Sequence, residues 1–334
     1  MPSLAFRALA AAALALVAQA VAAEPIKLGV LRLTSHAGNF VALERGHFAD
    51  EGLEVELEFF QAAGPMAVAI ASGDIDFGVT AITGALINLA DRGAVKVIGG
   101  ALTEEPGVDG QKILVSNAAY AEGVDAPAKL EGRSFAITQT GSSFHYMISQ
   151  IAEAEGFALD SVRLTPLQKV GAIIGALKSG QVDGWSIVPH IARALDGSDG
   201  AKIIGDVADY IPDYQVTTVF TSAEMTRERP DTVRAFLRGY SRGVADYNAA
   251  LVDRTEGEDG ADAMVRLIHQ YVYTDRPYER AAPSIRAGAM RLQPEARLNL
   301  GSVRDQLAWF QSEGLVDESI TIETLVDASF VEAL

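Results

Sequence analysis

The sequence predicts an α/β protein made of two related β-α-β lobes that are joined by a two-strand hinge. Strands alternate with helical segments of about 10 to 15 residues, a pattern that favours parallel sheets covered by helices. One motif occurs twice, beginning at Ala69 and again at Ala176. The chain has 334 residues, which is long for one compact core and favours two domains.

The first segment has the pattern of a targeting signal. Arg7 precedes an almost wholly apolar stretch, residues 8–18, and the small residues that follow allow cleavage after Ala20 or after Ala23. The apolar run is shorter than the about 20 residues that a bilayer-spanning helix needs. We therefore predict that residues 1–23 are a cleaved secretory signal peptide, with a retained membrane anchor as the alternative. Export without cysteine indicates the bacterial periplasm.

The composition excludes several classes of function. The chain has no cysteine, which excludes a disulfide scaffold, a thiolate metal site and a cysteine nucleophile. It carries 27 Lys and Arg against 44 Asp and Glu, a formal net charge of -17. Nucleic-acid binding draws its affinity from clustered basic residues. We therefore expect no nucleic-acid partner and no binding to an anionic membrane surface.

The repeat predicts the same order of elements in both halves. Each copy reads strand, helix, Glu-Gly, strand, helix, Ser-Gly and a strand that begins after Asp, with glycines suited to left-handed helix ends. The first copy has a strand at 26–31, a helix after Gly38, Glu51-Gly52, a strand at 55–60, a helix end at 67–71, Gly73 and Asp76. The second copy has a strand at 134–138, a helix after Gly141, Glu155-Gly156, a strand at 162–167, a helix end at 173–178, Gly180 and Asp183. Chance is the alternative, but the agreement in order argues against it.

The segments between and after the repeats predict the domain boundaries. Residues 103–111 are polar and rich in turn formers, as expected of an exposed crossing between lobes. Residues 214–221 read as a β-branched strand that returns the chain to the first lobe. Helical patterns complete that lobe at 230–246, 261–272 and 303–313. We predict that lobe 1 comprises residues 24–103 and 217–334, and that lobe 2 comprises residues 104–216.

The topology also predicts where a ligand binds. In open α/β sheets, ligands lie beyond the carboxyl ends of the strands, where helix N-termini present free N–H groups. This rule selects residues 34–39 and 80–83 in lobe 1, and residues 139–145 and 185–190 in lobe 2. Facing one another across the hinge, these loops would enclose a small solute. The predicted ligand-binding residues are Thr34, Ser35, His36, Asn39, Thr80, Ala81, Ile82, Thr83, Thr140, Gly141, Ser142, Ser143, Trp185 and Ser186.

Residues 140–143 are the most informative part of this set. Gly141 allows a close backbone approach, and Ser142 and Ser143 offer hydroxyls beside helix-end N–H groups, an arrangement that holds carboxylate, sulfonate, nitrate or phosphate. A serine helix cap without a ligand is the alternative. Trp185 either stacks on the ligand or fills the core. Arg32, at the end of the first strand, either pairs with an anionic group or is a solvated surface residue.

Support for catalysis is weak. The histidines show no metal-ligand spacing; they are His36, His47, His145, His190 and His269. Ser142, His145 and Asp183 form a triad only on paper, because Ser142 does not lie in a Gly-x-Ser-x-Gly pattern. We therefore expect no enzymatic activity, no cofactor and no bound metal.

Four stretches carry a resemblance to a known family. Residues 41–55 read VALERGHFADEGLEV, residues 71–78 read ASGDIDFG, residues 141–143 read GSS and residues 179–183 read SGQVD. These stretches resemble the periplasmic solute-binding components of ABC importers, in particular those for aliphatic sulfonates, taurine, nitrate and thiamine-precursor pyrimidines. The resemblance spans nearly the whole mature chain. It implies a type II periplasmic binding protein fold, with residues 140–143 and the loops after Gly78 and Gly184 lining the cleft.

Together with residues 140–143, the resemblance predicts the function. We expect capture of a small anionic solute (sulfonate, nitrate or carboxylate) by hinge closure, with delivery to an ABC permease and ATPase complex and with the protein as a monomer. Two alternatives stay open. One is an exported enzyme, or an enzyme of pyrimidine-precursor synthesis, on the same scaffold. The other is a solute-sensing module that signals to a membrane receptor.

Overall fold

The computed structural model describes residues 25–105 and 107–334 as an α/β protein with two five-stranded sheets. This arrangement confirms the predicted fold class. The strands are β1 (Ile26–Val30), β2 (Val55–Phe59), β3 (Phe77–Thr80), β4 (Val95–Thr103), β5 (Lys112–Val115), β6 (Ser134–Ile137), β7 (Arg163–Pro166), β8 (Gly184–Ile187), β9 (Lys202–Asp206) and β10 (Gln215–Ser222).

Helices follow most of these strands. In chain order they are α1 (Ala37–Glu44), α2 (His47–Asp50), α3 (Ala63–Ser72), α4 (Gly84–Asp91), α5 (Asn117–Ala121), α6 (Ser143–Glu155), α7 (Val170–Lys178), α8 (Pro189–Gly197), α9 (Ala223–Glu228), α10 (Pro230–Tyr247), α11 (Gly257–His269), α12 (Tyr278–Ala287), α13 (Leu300–Ser312) and α14 (Ile322–Leu325). The signal peptide predicted for residues 1–23 lies outside the described residues. Within them, no helix is long and apolar enough to cross a membrane.

The two sheets share one topology. The first sheet has the strand order β2-β1-β3-β10-β4, and the second has the order β7-β6-β8-β5-β9. The second strand in each order pairs parallel with both of its neighbours: β1 with β2 and β3, and β6 with β7 and β8. We call the first sheet and the helices packed on it lobe 1, and the second sheet and its helices lobe 2. The residue boundaries predicted for the two lobes stay a prediction.

Both sheets are mixed, which corrects the expectation of parallel sheets. Strand β10 runs antiparallel to β3 and β4, and β5 runs antiparallel to β8 and β9. The reason lies in the crossings between sheets. Because β5 and β10 each follow a crossing, each enters its sheet from the opposite direction to the β-α-β strands, and no intervening helix turns it parallel.

Hydrogen bonds at the strand starts repeat in the two lobes. The Asp76 carboxylate accepts a bond of 2.8 Å from the Lys27 amide at the start of β1. In lobe 2, the Asp183 carboxylate accepts a bond of 2.8 Å from the Ser134 amide at the start of β6. The aspartates that mark the sequence repeat therefore tie the third strand of each unit to the first, at the end of the sheet opposite to the predicted ligand site.

The two crossings between the sheets touch each other. The amide of Glu104, just after β4, donates a bond of 2.9 Å to the carbonyl of Tyr214, just before β10. The Glu104 carboxylate is buried and accepts a bond of 3.1 Å from the amide of Gln111. Burial raises the pKa of Glu104 to about 7, because the charged form loses its hydration. The Glu104 carboxyl group, with its raised pKa, therefore lies where the chain passes between the lobes.

Candidate functional site

A small cavity lies between the two sheets, at the carboxyl ends of their parallel strands. Its volume is about 60 Å³, and lobe 1 and lobe 2 both line it. The polar part of its lining consists of Ser35, His36, Thr80, Gln111, Thr138, Ser142, Ser143 and Thr217. Apolar side chains such as Leu33, Phe144 and Val188 make up the rest. Among the described lining residues there is no Asp, Glu, Lys or Arg.

The structure brings part of the predicted ligand-binding set together at this cavity. The predicted residues that line it are Ser35, His36, Thr80, Ala81, Ser142 and Ser143. The predicted residues that lie around it without lining it are Thr34, Asn39, Ile82, Thr83, Thr140, Gly141, Trp185 and Ser186. Sequence reasoning missed Thr138, Gln111 and Thr217. Thr138 follows β6 and could have been found by the strand-end rule, whereas Gln111 and Thr217 come from the crossing segments.

The serine that precedes α6 differs from the threonine that precedes α4 in lobe 1. Thr83 caps α4 in the usual way, because its side chain accepts a bond of 3.2 Å from the Leu86 amide. Ser142 occupies the corresponding position before α6, but its hydroxyl makes no capping bond within the described chain. This hydroxyl is buried and lines the cavity. The alternative stated for Ser142, a serine that caps its helix without binding a ligand, is therefore not seen in this structure.

Three cavity-lining residues have buried polar atoms without a hydrogen-bond partner among the described residues. They are the Ser142 hydroxyl, the Thr217 hydroxyl and the side-chain nitrogen of Gln111. A buried donor that stays unpaired costs about 1 to 3 kcal/mol. The three atoms belong to the residue before α6, to β10 and to the crossing before β5, so both lobes supply polar groups to the residues that line the cavity.

His36 is a neutral donor at this site. Its ring is buried, and loss of hydration lowers its pKa to about 3, so it carries no charge at neutral pH. The Leu31 amide donates to its Nδ1 atom over 3.4 Å. Since Nδ1 accepts, the ring proton lies on Nε2, which becomes a hydrogen-bond donor. Asn39 supports the turn, because its side-chain nitrogen donates a bond of 3.1 Å to the His36 carbonyl.

Other predicted residues hold the lobes together. The Thr34 hydroxyl, in lobe 1, lies 2.8 Å from Nδ1 of His190 in lobe 2, and also donates to the Gly288 carbonyl over 3.2 Å. The amide of Gly84 donates a bond of 2.9 Å to the carbonyl of Gly141. These contacts cross the boundary between the two lobes, which we call the seam, beside the cavity. The lobes are therefore closed on each other in this structure.

Trp185 and Ser186 lie inside lobe 2. The indole of Trp185 is fully buried, with its ring centre 5.6 Å from that of Phe144. Phe144 lines the cavity and Trp185 does not, so Trp185 is one layer away from it. The hydroxyl of Ser186 is buried on β8 with no partner among the described residues. Of the two alternatives stated for Trp185, ligand stacking and core packing, the contact seen in this structure is core packing.

Ser142, His145 and Asp183 are not assembled as a triad. Nδ1 of His145 accepts a bond of 3.2 Å from the Gly141 amide, and its ring packs edge-on against Trp309. The Asp183 carboxylate bonds to Ser134 at the far end of the sheet and so does not orient His145. Over the described part of the chain, no cluster of three or more His, Asp or Glu side chains could hold a metal ion. What the cavity offers is hydrogen bonding to a small solute.

Comparison with known proteins agrees with this description. The fold is that of the periplasmic binding proteins SsuA and NrtA. The family model described as NMT1/THI5 like matches residues 33–250, and the chain belongs to this family. A search of curated proteins gives no match.

Solved structures with the same fold include both binding proteins and an enzyme. The alkanesulfonate-binding protein SsuA from Xanthomonas axonopodis pv. citri, bound to MOPS, is 16% identical with a TM-score of 0.71, covering 91% of this chain and 98% of that one. The periplasmic nitrate-binding protein NrtA from Synechocystis PCC 6803 is 14% identical with a TM-score of 0.70, covering 90% and 83%. The desulfurization enzyme DSZB is 15% identical with a TM-score of 0.59, covering 92% and 97%. At sequence identities of 14 to 16%, the similarity to these structures shows that the chain shares their fold.

Proposed function

We propose that this protein is the periplasmic solute-binding component of an ABC importer and that it captures a small anion in the cavity between its lobes. The family and the fold support this function, since SsuA and NrtA share the architecture. The proposal includes export by a cleaved signal peptide, action as a monomer, and delivery of the solute to a membrane permease with its ATPase. Catalysis has no part in it.

The single observation that carries the proposal is the set of unpaired buried donors. Ser142, Gln111 and Thr217 line one small cavity, and each has a buried polar atom without a hydrogen-bond partner among the described residues. The N-terminus of α6, a helix of 13 residues, begins at the same place. Helix N-termini and hydroxyls together favour negative charge without a basic side chain. A sulfonate, nitrate or carboxylate group supplies two or three acceptor oxygens and fits this donor set.

The size of the cavity is consistent with a small charged group. Pockets for small molecules are usually about 300 to 1,000 Å³, whereas this cavity is about 60 Å³. Its lining is neutral, so a cationic solute would find no carboxylate to pair with among the described lining residues. An anion, in contrast, would satisfy donors that otherwise lose hydrogen bonds on burial.

Capture requires the lobes to open and close. We propose that lobe 1 (residues 24–103 and 217–334) and lobe 2 (residues 104–216) rotate about the crossings near Glu104 and Tyr214. A solute that bonds to Ser142 on one side and to Thr217 on the other gains its full set of contacts only in the closed form. Such a solute shifts the population toward closure. A permease would then recognise the closed form.

A thermal-shift screen of the mature protein tests this function. The panel is taurine, ethanesulfonate, nitrate, benzoate and a neutral pyrimidine; a ligand at 100 times its dissociation constant adds about 2.7 kcal/mol of stability. We expect an anion to give a shift, and Ser142→Ala to weaken its binding by about tenfold, equivalent to the loss of one hydrogen bond to a charged group. Ser72→Ala, on the exposed end of α3, is the matched control.

Two outcomes would contradict the proposal. Equal binding by Ser142→Ala and the native protein would place the anion elsewhere. Chemical conversion of the bound anion, followed by mass spectrometry after prolonged incubation, would favour an enzyme instead. Reconstitution with the permease and ATPase in vesicles then tests delivery, since transport of the identified anion should depend on added binding protein.

A further inference from the structure

A wider groove adjoins the small cavity at the seam between the lobes. Its volume is about 630 Å³, and residues of both lobes line it. Leu31, Leu33 and Val170 line the groove and the inner cavity alike. The two spaces therefore share walls, and a solute longer than the inner cavity would extend into the groove.

The groove carries a net positive charge, whereas the described lining of the inner cavity has no charged side chain. Three of its lining side chains are positively charged, Arg32 and Arg276 in lobe 1 and Lys178 in lobe 2, and one, Asp275, is negatively charged. None of the three cations has a carboxylate within 4.0 Å in the described part of the chain, although Asp and Glu number 44 in the sequence. An excess of unpaired positive charge in so acidic a protein is an attractive place for an anion.

Aromatic rings hold the two guanidinium groups in place of carboxylates. Arg32 lies 3.6 Å above the centre of the Phe59 ring and donates one bond of 3.1 Å to the Tyr271 carbonyl. Arg276 lies 4.3 Å above the centre of the Tyr273 ring. Stacking fixes the planar group and leaves most of its five N–H donors available. Both arginines are thus positioned before any ligand binds, which lowers the entropy cost of recognising a planar anion.

Apolar side chains lie beside these cations. Phe60, Ile174 and Leu195 line the same groove. They suit an alkyl or aryl segment between two polar ends, because apolar contact adds affinity in proportion to the area buried. The inner cavity binds the first end through neutral donors, and the groove offers charge to the second.

We propose that the groove is an outer subsite for a second acidic group, so that the preferred solute is a dianion whose two acidic ends are separated by an apolar spacer. This inference rests on the proposed function, because the first acidic group occupies the inner cavity. It gives Arg32, Arg276 and Lys178 a role in specificity: they distinguish a dianion from a monoanion of equal length.

Matched pairs of probes test the outer subsite by isothermal titration calorimetry. The pairs are propane-1-sulfonate with 3-sulfopropanoate, butanoate with succinate, and hexanoate with adipate. We expect at least one dianion to bind about tenfold or more tightly than its matched monoanion. The double variant Arg32→Gln/Arg276→Gln should abolish this preference and leave the affinity for the monoanion within about twofold. Arg227→Gln, at a separate surface groove of lobe 1, is the control and should keep the preference.

The possible outcomes separate this inference from the proposed function. If monoanions bind through Ser142 but no dianion is preferred, the outer subsite is overturned while capture in the cavity stands. If a dianion is preferred equally by the native protein and the double variant, Arg32 and Arg276 do not bind the second acidic group, and the outer subsite as proposed is overturned. If no probe of either kind binds, both proposals fail.

Discussion

The amide of Gly84 donates a hydrogen bond of 2.9 Å to the carbonyl of Gly141, and this bond joins the first turn of α4 in lobe 1 to the loop before α6 in lobe 2. Gly141 has a φ angle of +73°, a left-handed conformation that suits glycine. Both residues follow the carboxyl end of a parallel strand. The loop after the third strand of the first repeat therefore contacts the loop after the first strand of the second repeat, beside the cavity.

Gly141→Ala should weaken this contact between the lobes. A side chain in the left-handed region costs about 1 kcal/mol, while the added Cβ would meet Gly84 no closer than 3.7 Å, so the effect is conformational rather than a clash. We expect hydrogen exchange at the Gly84 amide to become about fivefold faster, as that cost implies. Gly73→Ala has the same backbone strain at a helix end with open space around it, and serves as control. Equal acceleration in both variants would show that Gly141 has no special role at the seam.

The sequence pattern was sufficient for the repeated β-α-β units but not for the strands that connect them. The strand predicted at 134–138 is Ser134–Ile137, and the one predicted at 26–31 is Ile26–Val30. Alternation of apolar segments with Gly and Asp turns is a local signal, and it located these elements well. Strands β4, β5 and β9 were not predicted, because they lie outside the repeated β-α-β units and pair with strands that are distant in the sequence.

The candidate site shows the same division between local and long-range information. Ser142 and His36 were found because they follow strands of the repeat, where topology alone favours a ligand. Gln111 and Thr217 come from segments on either side of the crossings, and only the closed tertiary structure brings them to Ser142. Arg32 was recognised as a strand-end residue, but its stacking on Phe59 depends on the pairing of β1 with β2.

Trp309 provides a second test of the seam. Its indole N–H, in lobe 1, donates a bond of 2.7 Å to the hydroxyl of Ser149 in lobe 2. Trp309→Phe and Ser149→Ala should each lower the free energy of unfolding, and a double-mutant cycle in urea should give a coupling of about 1 kcal/mol, typical of a buried hydrogen bond. Tyr247→Phe, within lobe 1, should be additive with Ser149→Ala. A coupling near zero for the Trp309 pair would mean that the lobes are open in solution.

Glu104 should make the protein less stable at high pH. Its pKa is about 7 in the folded protein against 4.5 as the ordinary value, so folding favours the protonated form. Its stabilising effect is present below pH 4.5 and is lost as the pH rises through 7. We expect the contribution of this group to the free energy of unfolding to fall by about 2 kcal/mol between pH 5 and pH 8. Glu104→Gln should remove that fall in urea titrations; an unchanged pH dependence would show that the carboxyl group is ionised at little cost.

His190 should make the protein less stable at low pH, in contrast to Glu104, which should do so at high pH. Burial, with a smaller effect of His36, lowers its pKa from 6.5 to about 3, so folding favours the neutral ring. The stability that this provides is complete above pH 6.5 and is lost as the pH falls toward 3, at about 1.4 kcal/mol for each pH step over most of that range.

Two variants separate this titration of His190 from the hydrogen bond that its Nδ1 atom makes with Thr34. His190→Asn keeps a side-chain N–H on that side of the ring position and removes the titrating group, so the slope of stability against pH between 6 and 4 should decrease by one proton. Thr34→Val removes the partner hydroxyl and leaves the imidazole, so it should lower stability at every pH by about 1 kcal/mol with the slope unchanged. Urea unfolding at several pH values measures both quantities. If Thr34→Val changed the slope and His190→Asn did not, the acid sensitivity would belong to another group.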